Sequence, residues 1–118
     1  MIRRVPKPWG EEIIFAHTAR YAGKVLKVRA GESLSLQYHE RKEETLYLWE
    51  GRLRLDTETG GHAATRVVEA GESLHFPAGT RHRMEALVDT VLFEVSTPEL
   101  DDVVRLEDRY GRVGRSEP

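Results

Sequence analysis

Four side chains with metal-binding chemistry sit in two stretches of this sequence: Gln37, His39 and Glu44 in "LSLQYHERKEE", and His82 in "FPAGTRHRME". Gln37 and His39 are two apart, so on a strand they project from one face. The other face carries Leu34, Leu36 and Tyr38 and alternates like the buried side of a half-buried strand. Imidazole, carboxylate and amide oxygen are ligands for divalent cations, and the first two also move protons near neutral pH. Singly, Gln37 reads as a solvated strand residue and His82 as a surface histidine. Only a fold that brings them together gives them chemistry.

The elements that would do so are short strands. Apolar alternation marks 12–16, 21–29, 33–39, 44–49, 52–57, 65–69, 72–76, 81–87 and 90–96. Turn signals at Ala30-Gly31, Glu50-Gly51, Gly60-Gly61, Ala70-Gly71 and Pro77-Ala78-Gly79 separate them, and His62 falls in a loop. Ala-Gly-Glu-Ser-Leu occurs at 30–34 and again at 70–74, an internal repeat of about 40 residues. A β unit used twice fits a closed jelly roll, which leaves few free edges. One domain over 1–118 is expected, with 51–71 joining its halves. Its core is expected from Leu34, Leu36, Leu46, Leu48, Leu53, Val67, Leu74, Phe76, Leu92 and Phe93. Residues 102–106 read as a short strand or a single helical turn, and 112–118 as a frayed tail.

The repeat also aligns the chemistry. From Gly31, five residues lead to Gln37, one more precedes His39, four precede Glu44 and six precede Gly51. From Gly71, five residues lead to Pro77, then Ala78, Gly79 and two residues before His82. This spacing resembles the two signature motifs of the cupin superfamily at Gly31, His39, Glu44, Gly51, Gly71, Pro77, Gly79 and His82. The resemblance implies an all-β, double-stranded β-helix (jelly-roll) barrel. It also implies that Gln37, His39, Glu44 and His82 hold a divalent metal ion. Two positions depart: Gln37 stands at the usual first histidine and Ala86 at the usual asparagine. With two imidazoles instead of three, Zn, Mn, Fe or Ni is favoured over Cu.

Within the cupins the chain resembles the mannose-6-phosphate isomerase domain of bifunctional mannose-1-phosphate guanylyltransferase/phosphomannose isomerases. "KPWGEEIIF" (7–15), "KVLKVRAGESLSLQYH" (24–39), "FPAGTRHRME" (76–85) and "DDVVRLEDRYGR" (101–112) carry the likeness, which implies order down to Arg112. After Gln-x-His, that family reads His-His-Arg-x-Glu-His-Trp; this chain reads Glu40-Arg41-Lys42-Glu43-Glu44-Thr45-Leu46. A lysine replaces the planar guanidinium at Lys42, and the two are not interchangeable for bidentate phosphate binding.

What the resemblance implies is a metal-dependent sugar-phosphate isomerase, with a substrate other than mannose 6-phosphate. Lys42 and Glu43 are the expected catalytic groups, and Lys24, Arg81 and Arg105 the expected substrate-binding cations; Arg83 and Arg109 read as surface charge. The alternatives are a non-catalytic sugar-binding cupin and a non-haem iron dioxygenase, since two histidines and a carboxylate also form that facial triad.

Bulk properties narrow the partners. A net charge of −2 gives no general attraction to nucleic acid or to an anionic membrane. No apolar run reaches membrane-spanning length, the start lacks an apolar signal region, and cysteine is absent. The expectation is a cytoplasmic protein with a small-molecule substrate, a sugar or sugar phosphate. Apolar residues in surplus of one small barrel's needs (Ile13, Ile14, Phe15, Tyr47 and Trp49) point to a homodimer.

Overall fold

The computed structural model describes residues 2–115, and among them strands and turns form without any helix. The strands are β1 (Arg3–Lys7), β2 (Gly10–His17), β3 (Ala22–Val28), β4 (Leu36–Tyr38), β5 (Glu44–Glu50), β6 (Arg52–Thr59), β7 (His62–Glu69), β8 (Ser73–Phe76), β9 (Arg81–Ala86), β10 (Thr90–Ser96), β11 (Val104–Glu107) and β12 (Gly114–Arg115). They form two sheets with antiparallel pairing throughout, in the orders β1-β2-β3-β10-β5-β8 and β12-β11-β4-β9-β6-β7. Each sheet draws on both halves of the repeat, which is the jelly-roll arrangement. No helix is long and apolar enough to cross a membrane.

The interior is divided along the barrel axis. At one end Leu46, Leu48, Leu53, Val68 and Leu92 are at most 1% exposed, and each such side chain contributes about 1.5–3 kcal/mol by leaving water. One pleat further along, the same strands turn polar. Leu48 and Leu46 are followed by Glu44 on β5, Leu92 by Glu94 on β10, and Leu26 by Lys24 on β3, all buried. Glu94 lies directly across from Lys24 in the β10–β3 register. The charged end is the one that bears on function.

Leu34, Leu46, Leu48, Leu53, Leu74, Phe76 and Leu92 are core residues as expected, whereas Val67 is 49% and Phe93 36% exposed. In "TRVVE" two adjacent valines fit either face, and the register of β6 with β7 turns Val68 inward. In β10 the alternation is inverted: Thr90, Leu92, Glu94 and Ser96 point in, while Phe93 and Val95 point out. The stretch around β4 is inverted too. Ser35 and His39 are buried, Leu36 and Tyr38 only half so, because this strand lines the polar end.

The 51–71 segment is the β6–β7 hairpin, closed by Gly60-Gly61 with Thr59 opposite His62. Both glycines have positive φ (58° and 81°), the type I′ geometry that matches strand twist. His62 therefore begins a strand instead of lying in a loop. At the C-terminal end, 104–107 is a strand, not a helical turn. It pairs with β4 through Val104↔Tyr38, Arg105↔Gln37 and Glu107↔Leu36. A β-branched pair, Val103-Val104, beside an otherwise open edge favours extension. Tyr110 and Arg112 hold the following turn, through a Tyr110–Glu32 hydrogen bond and an Arg112–Asp108 ion pair. Residues 116–118 of the expected frayed tail lie outside the described residues.

Candidate metal centre

Gln37 and His82 face each other across the β4–β9 ladder, and Glu44 opens β5 opposite Phe76 of β8. These placements bring His39, Glu44 and His82 together: their ligand atoms all lie within 4.8 Å of one another, and all three residues are buried. Glu44 Oε1 is 3.1 Å from His39 Nε2 and 3.2 Å from His82 Nε2. Gln37 lines the same cavity, its Oε1 accepting a hydrogen bond from Ser35 Oγ at 2.7 Å.

Both imidazoles are held from behind. His39 Nδ1 donates to the Asp102 carbonyl at 2.5 Å, and His82 Nδ1 to the Thr80 carbonyl at 3.0 Å. The Phe76 ring stacks on His82 with centroids 4.1 Å apart and planes 8° from parallel. The Pro77–Gly79 turn docks on the other histidine: Gly79 N–H donates to the His39 carbonyl at 2.7 Å, from a backbone with φ of 87° that favours glycine.

With each Nδ1 committed as a donor, a neutral ring presents only a lone pair at Nε2. Two such lone pairs then meet one carboxylate oxygen in a buried site. A shared proton or a cation must lie between them, and two imidazoles with a carboxylate are a donor set for divalent transition metals. The residues present fit such an ion.

Around this trio runs a ladder of alternating charge. Lys42 Nζ lies 3.2 Å from Glu44 Oε2 and 3.0 Å from Glu94 Oε2. Lys24 ion-pairs with Glu12 and approaches Glu94 at 3.9 Å, and Lys7 reaches Glu12 at 3.4 Å. Burial opposes the Lys42 ammonium, but the Glu94 and Glu44 carboxylates outweigh it and hold its pKa above the usual lysine range. Burial would raise Glu44. The facing imidazoles and the Lys42 charge override it and keep this carboxyl ionised, well below its ordinary value. Glu94 goes the other way: burial, then the Glu44 charge, push it up against the pull of Lys42 and Lys24.

The cavity against His39 and Glu44 is about 70 Å³ in volume, and His82 is not part of its lining. Of the expected substrate-binding cations, Lys24 and Arg105 line it, as does the expected catalytic Lys42. Glu43 does not: it lies on the surface, bonded to His75 at 2.6 Å. Arg81 is also outside, against Glu58 and the Tyr38 ring. Arg83 pairs with Asp56 and Glu107, and Arg109 with Glu85. Lys7, Glu12, Glu94 and Arg112 line the cavity without having been singled out in the sequence. For Glu94 a signal existed: in "TVLFEVS" it shares a face with Thr90 and Ser96, and strict alternation of that kind marks the inside of a polar barrel end.

Comparison with known proteins agrees with this geometry. Residues 22–95 match the cupin domain family. The chain belongs to the cupin family. It is 36% identical over 118 residues to mannose-1-phosphate guanylyltransferase ManC of Salmonella typhimurium, covering 96% of this chain and 24% of that protein. It is 34% identical to mannose-1-phosphate guanylyltransferase of Escherichia coli K12, covering 94% of this chain and 23% of that protein. This cupin thus spans about a quarter of the length of the curated relatives it matches. Among solved structures, KdgF from Halomonas sp. superposes with a TM-score of 0.69 at 24% identity, covering 83% of this chain and 86% of that one. Oxalate decarboxylase from Bacillus subtilis superposes with a TM-score of 0.78 at 17% identity, covering 89% and 30%. At these identities the two structures share the fold.

Proposed function

We propose that this cupin is a metal-dependent isomerase acting on a sugar phosphate or a related anionic sugar. The observation that carries the reading is the meeting of His39 Nε2, His82 Nε2 and Glu44 Oε1, acceptors that a divalent cation would join, with Gln37 as a fourth ligand. Such a cation supplies Lewis-acid polarisation of a sugar carbonyl or hydroxyl pair. The sequence likeness to the isomerase domain of bifunctional guanylyltransferases supports the reaction class.

The chain's own residues provide the rest. Lys7, Lys24, Lys42, Arg105 and Arg112 line the cavity against Glu12, Glu44 and Glu94. Five cations against three carboxylates make the lining cationic, which suits a phosphate or carboxylate. In this reading Lys7 and Arg112, the less buried cations, receive the anionic end. Glu94 takes the catalytic place expected of Glu43, because it is the carboxyl that lines the cavity beside Lys42 while Glu43 lies on the surface. Lys42 bridges Glu44 and Glu94 and offsets their mutual repulsion. A cavity of about 70 Å³ is small beside the several hundred Å³ of most ligand sites, so only the reacting end of a sugar fits behind the mouth.

We further propose that the protein is a homodimer. The outer face of the first sheet exposes Phe15, Tyr47, Trp49, Phe93 and Val95. The Trp49 ring lies 6.4 Å from Tyr47 and 5.6 Å from Phe93, so the aromatics form one patch.

The test is metal analysis of the purified protein, then an isomerase screen over hexose and pentose phosphates with and without chelator. Turnover that chelator abolishes supports the reading. A metal-free protein with no turnover overturns it.

A further inference from the structure

We propose that Asp102 is the positioning residue of the metal centre, a clamp that fixes both the ligand loop and the tautomer of His39. The proposal rests on the reading of His39, Glu44 and His82 as metal ligands.

One carboxylate makes three backbone hydrogen bonds here. The N–H of Glu40 donates to Asp102 Oδ1 at 3.0 Å, and those of Arg41 and Lys42 donate to Oδ2 at 2.6 and 2.8 Å. These are the successive amides of the turn between His39 and Glu44, so that turn folds around a foreign carboxylate in place of a strand ladder. The same residue's carbonyl accepts His39 Nδ1–H at 2.5 Å. Side chain and main chain of Asp102 therefore act on the same turn, one on its shape and one on the ring that begins it.

The shape matters because the turn must aim three groups inward within six residues: His39, Lys42 and Glu44 are all buried, while Glu40 and Arg41 between them are exposed. A strand alternates faces and cannot place Lys42 and Glu44 beside His39 without a bend. The bend exposes its amides to one another's repulsion, and an acceptor bridging all three removes that cost. A second mooring lies at the other end of the clamp segment. Thr97 N–H donates to the Glu43 carbonyl, and Glu43 N–H to Thr97 Oγ1, both at 3.0 Å. Residues 97–102 thus bracket the turn from Glu43 back to His39.

Partners that hold a ligating imidazole through its second nitrogen commonly set metal affinity by tenfold to a hundredfold when lost. Asp102→Ala releases the turn and, with it, the carbonyl's hold on His39. The control is Asp89→Ala. Asp89 also accepts a backbone N–H, from Ala30 at 2.8 Å, but it touches no ligand.

The experiment measures Zn²⁺ affinity of the whole chain by competition with a chromophoric chelator, for wild type, Asp102→Ala, Asp102→Asn and Asp89→Ala. In parallel, NMR of the metal-free protein follows the His39 Nδ1–H proton. Expected are Zn²⁺ binding weakened roughly tenfold to a hundredfold by Asp102→Ala, a smaller loss for Asp102→Asn, no change for Asp89→Ala, and an Nδ1–H signal that disappears in Asp102→Ala. Equal affinities for wild type and Asp102→Ala, with the signal intact, overturn the clamp. If Asp102→Ala does not fold, Asp102→Asn decides by the same comparison. A wild type that binds no Zn²⁺ contradicts the metal reading, and the Nδ1–H signal still decides whether Asp102 holds the ring.

Discussion

Lys42 Nζ lies 3.0 Å from Glu94 Oε2 inside the barrel, with the two side chains 4% and 6% exposed. The same ammonium reaches Glu44 at 3.2 Å. A single lysine therefore separates two buried carboxylates. Lys42→Met should leave Glu94 with only Lys24, at 3.9 Å, and Glu44 with only the two imidazoles, and destabilise the metal-free protein by about 3 kcal/mol, the low end of the cost of breaking a buried pair from one side. Urea unfolding with chelator present measures it; a change below about 1 kcal/mol would mean that water already screens these charges.

The ligand set predicts an order of effects. His39→Ala and His82→Ala should each abolish stoichiometric metal in elemental analysis. Gln37→Ala should only weaken binding, because an amide oxygen is the poorer donor, and Gln37→His should tighten it by restoring a third imidazole. Equal metal content in wild type and both histidine variants would disprove the assignment.

Stability should fall in acid. Burial raises the Asp102 and Asp108 carboxyls, but the backbone N–H groups around Asp102 and the Arg112 contacts on Asp108 outweigh it, leaving both below the ordinary range. Glu12 is likewise lowered, by Lys24 and Lys7 against its burial. Groups lowered by folding contribute stability that is complete above their unfolded values, near 4, and is lost as pH falls through the folded ones. Glu94, raised by burial, acts with the opposite sign, and these three carboxyls together with the lowered Glu44 oppose it. Thermal unfolding of metal-free protein should therefore be level near neutrality and drop below about pH 4. A midpoint as high at pH 3 as at pH 7 would contradict this.

The aromatic patch predicts association. Light scattering should give twice the 13.5 kDa mass of the chain, and Trp49→Glu should give one chain mass without loss of metal. A wild-type monomer at micromolar concentration would refute the dimer.

Much of this architecture is legible in the sequence, for identifiable reasons. The repeated Ala-Gly-Glu-Ser-Leu and the glycines around it mark the strand ends, so the jelly roll and the approach of Gln37 to His82 follow from turn chemistry and alternation. Alternation alone misassigns faces where polarity inverts. Phe93 looks like core and Glu94 like surface, yet the barrel's polar end reverses them. Val67 and Val68 are indistinguishable until the β6–β7 register is known. Glu43 and Glu44 are adjacent carboxylates that follow the bend capped by Asp102; alternation sends one inward and the other to His75, and their types do not say which. Asp102 is some 60 residues from that bend, and no local pattern connects the two.

The central claim is a metal ion at His39, Glu44 and His82 that drives proton transfer on a sugar. Solvent deuterium exchange at C1 or C2 of a panel of free and phosphorylated sugars, followed by NMR with metal added and with chelator, tests it most directly. The replaced turn Arg41-Lys42-Glu43 stands beside two ligands, and a shift of about 1 Å in substrate anchoring costs roughly a hundredfold in rate. Mannose 6-phosphate should therefore exchange weakly, and another sugar or sugar phosphate faster, with chelator abolishing both. Metal-loaded protein that exchanges no proton on any sugar of the panel would contradict the account.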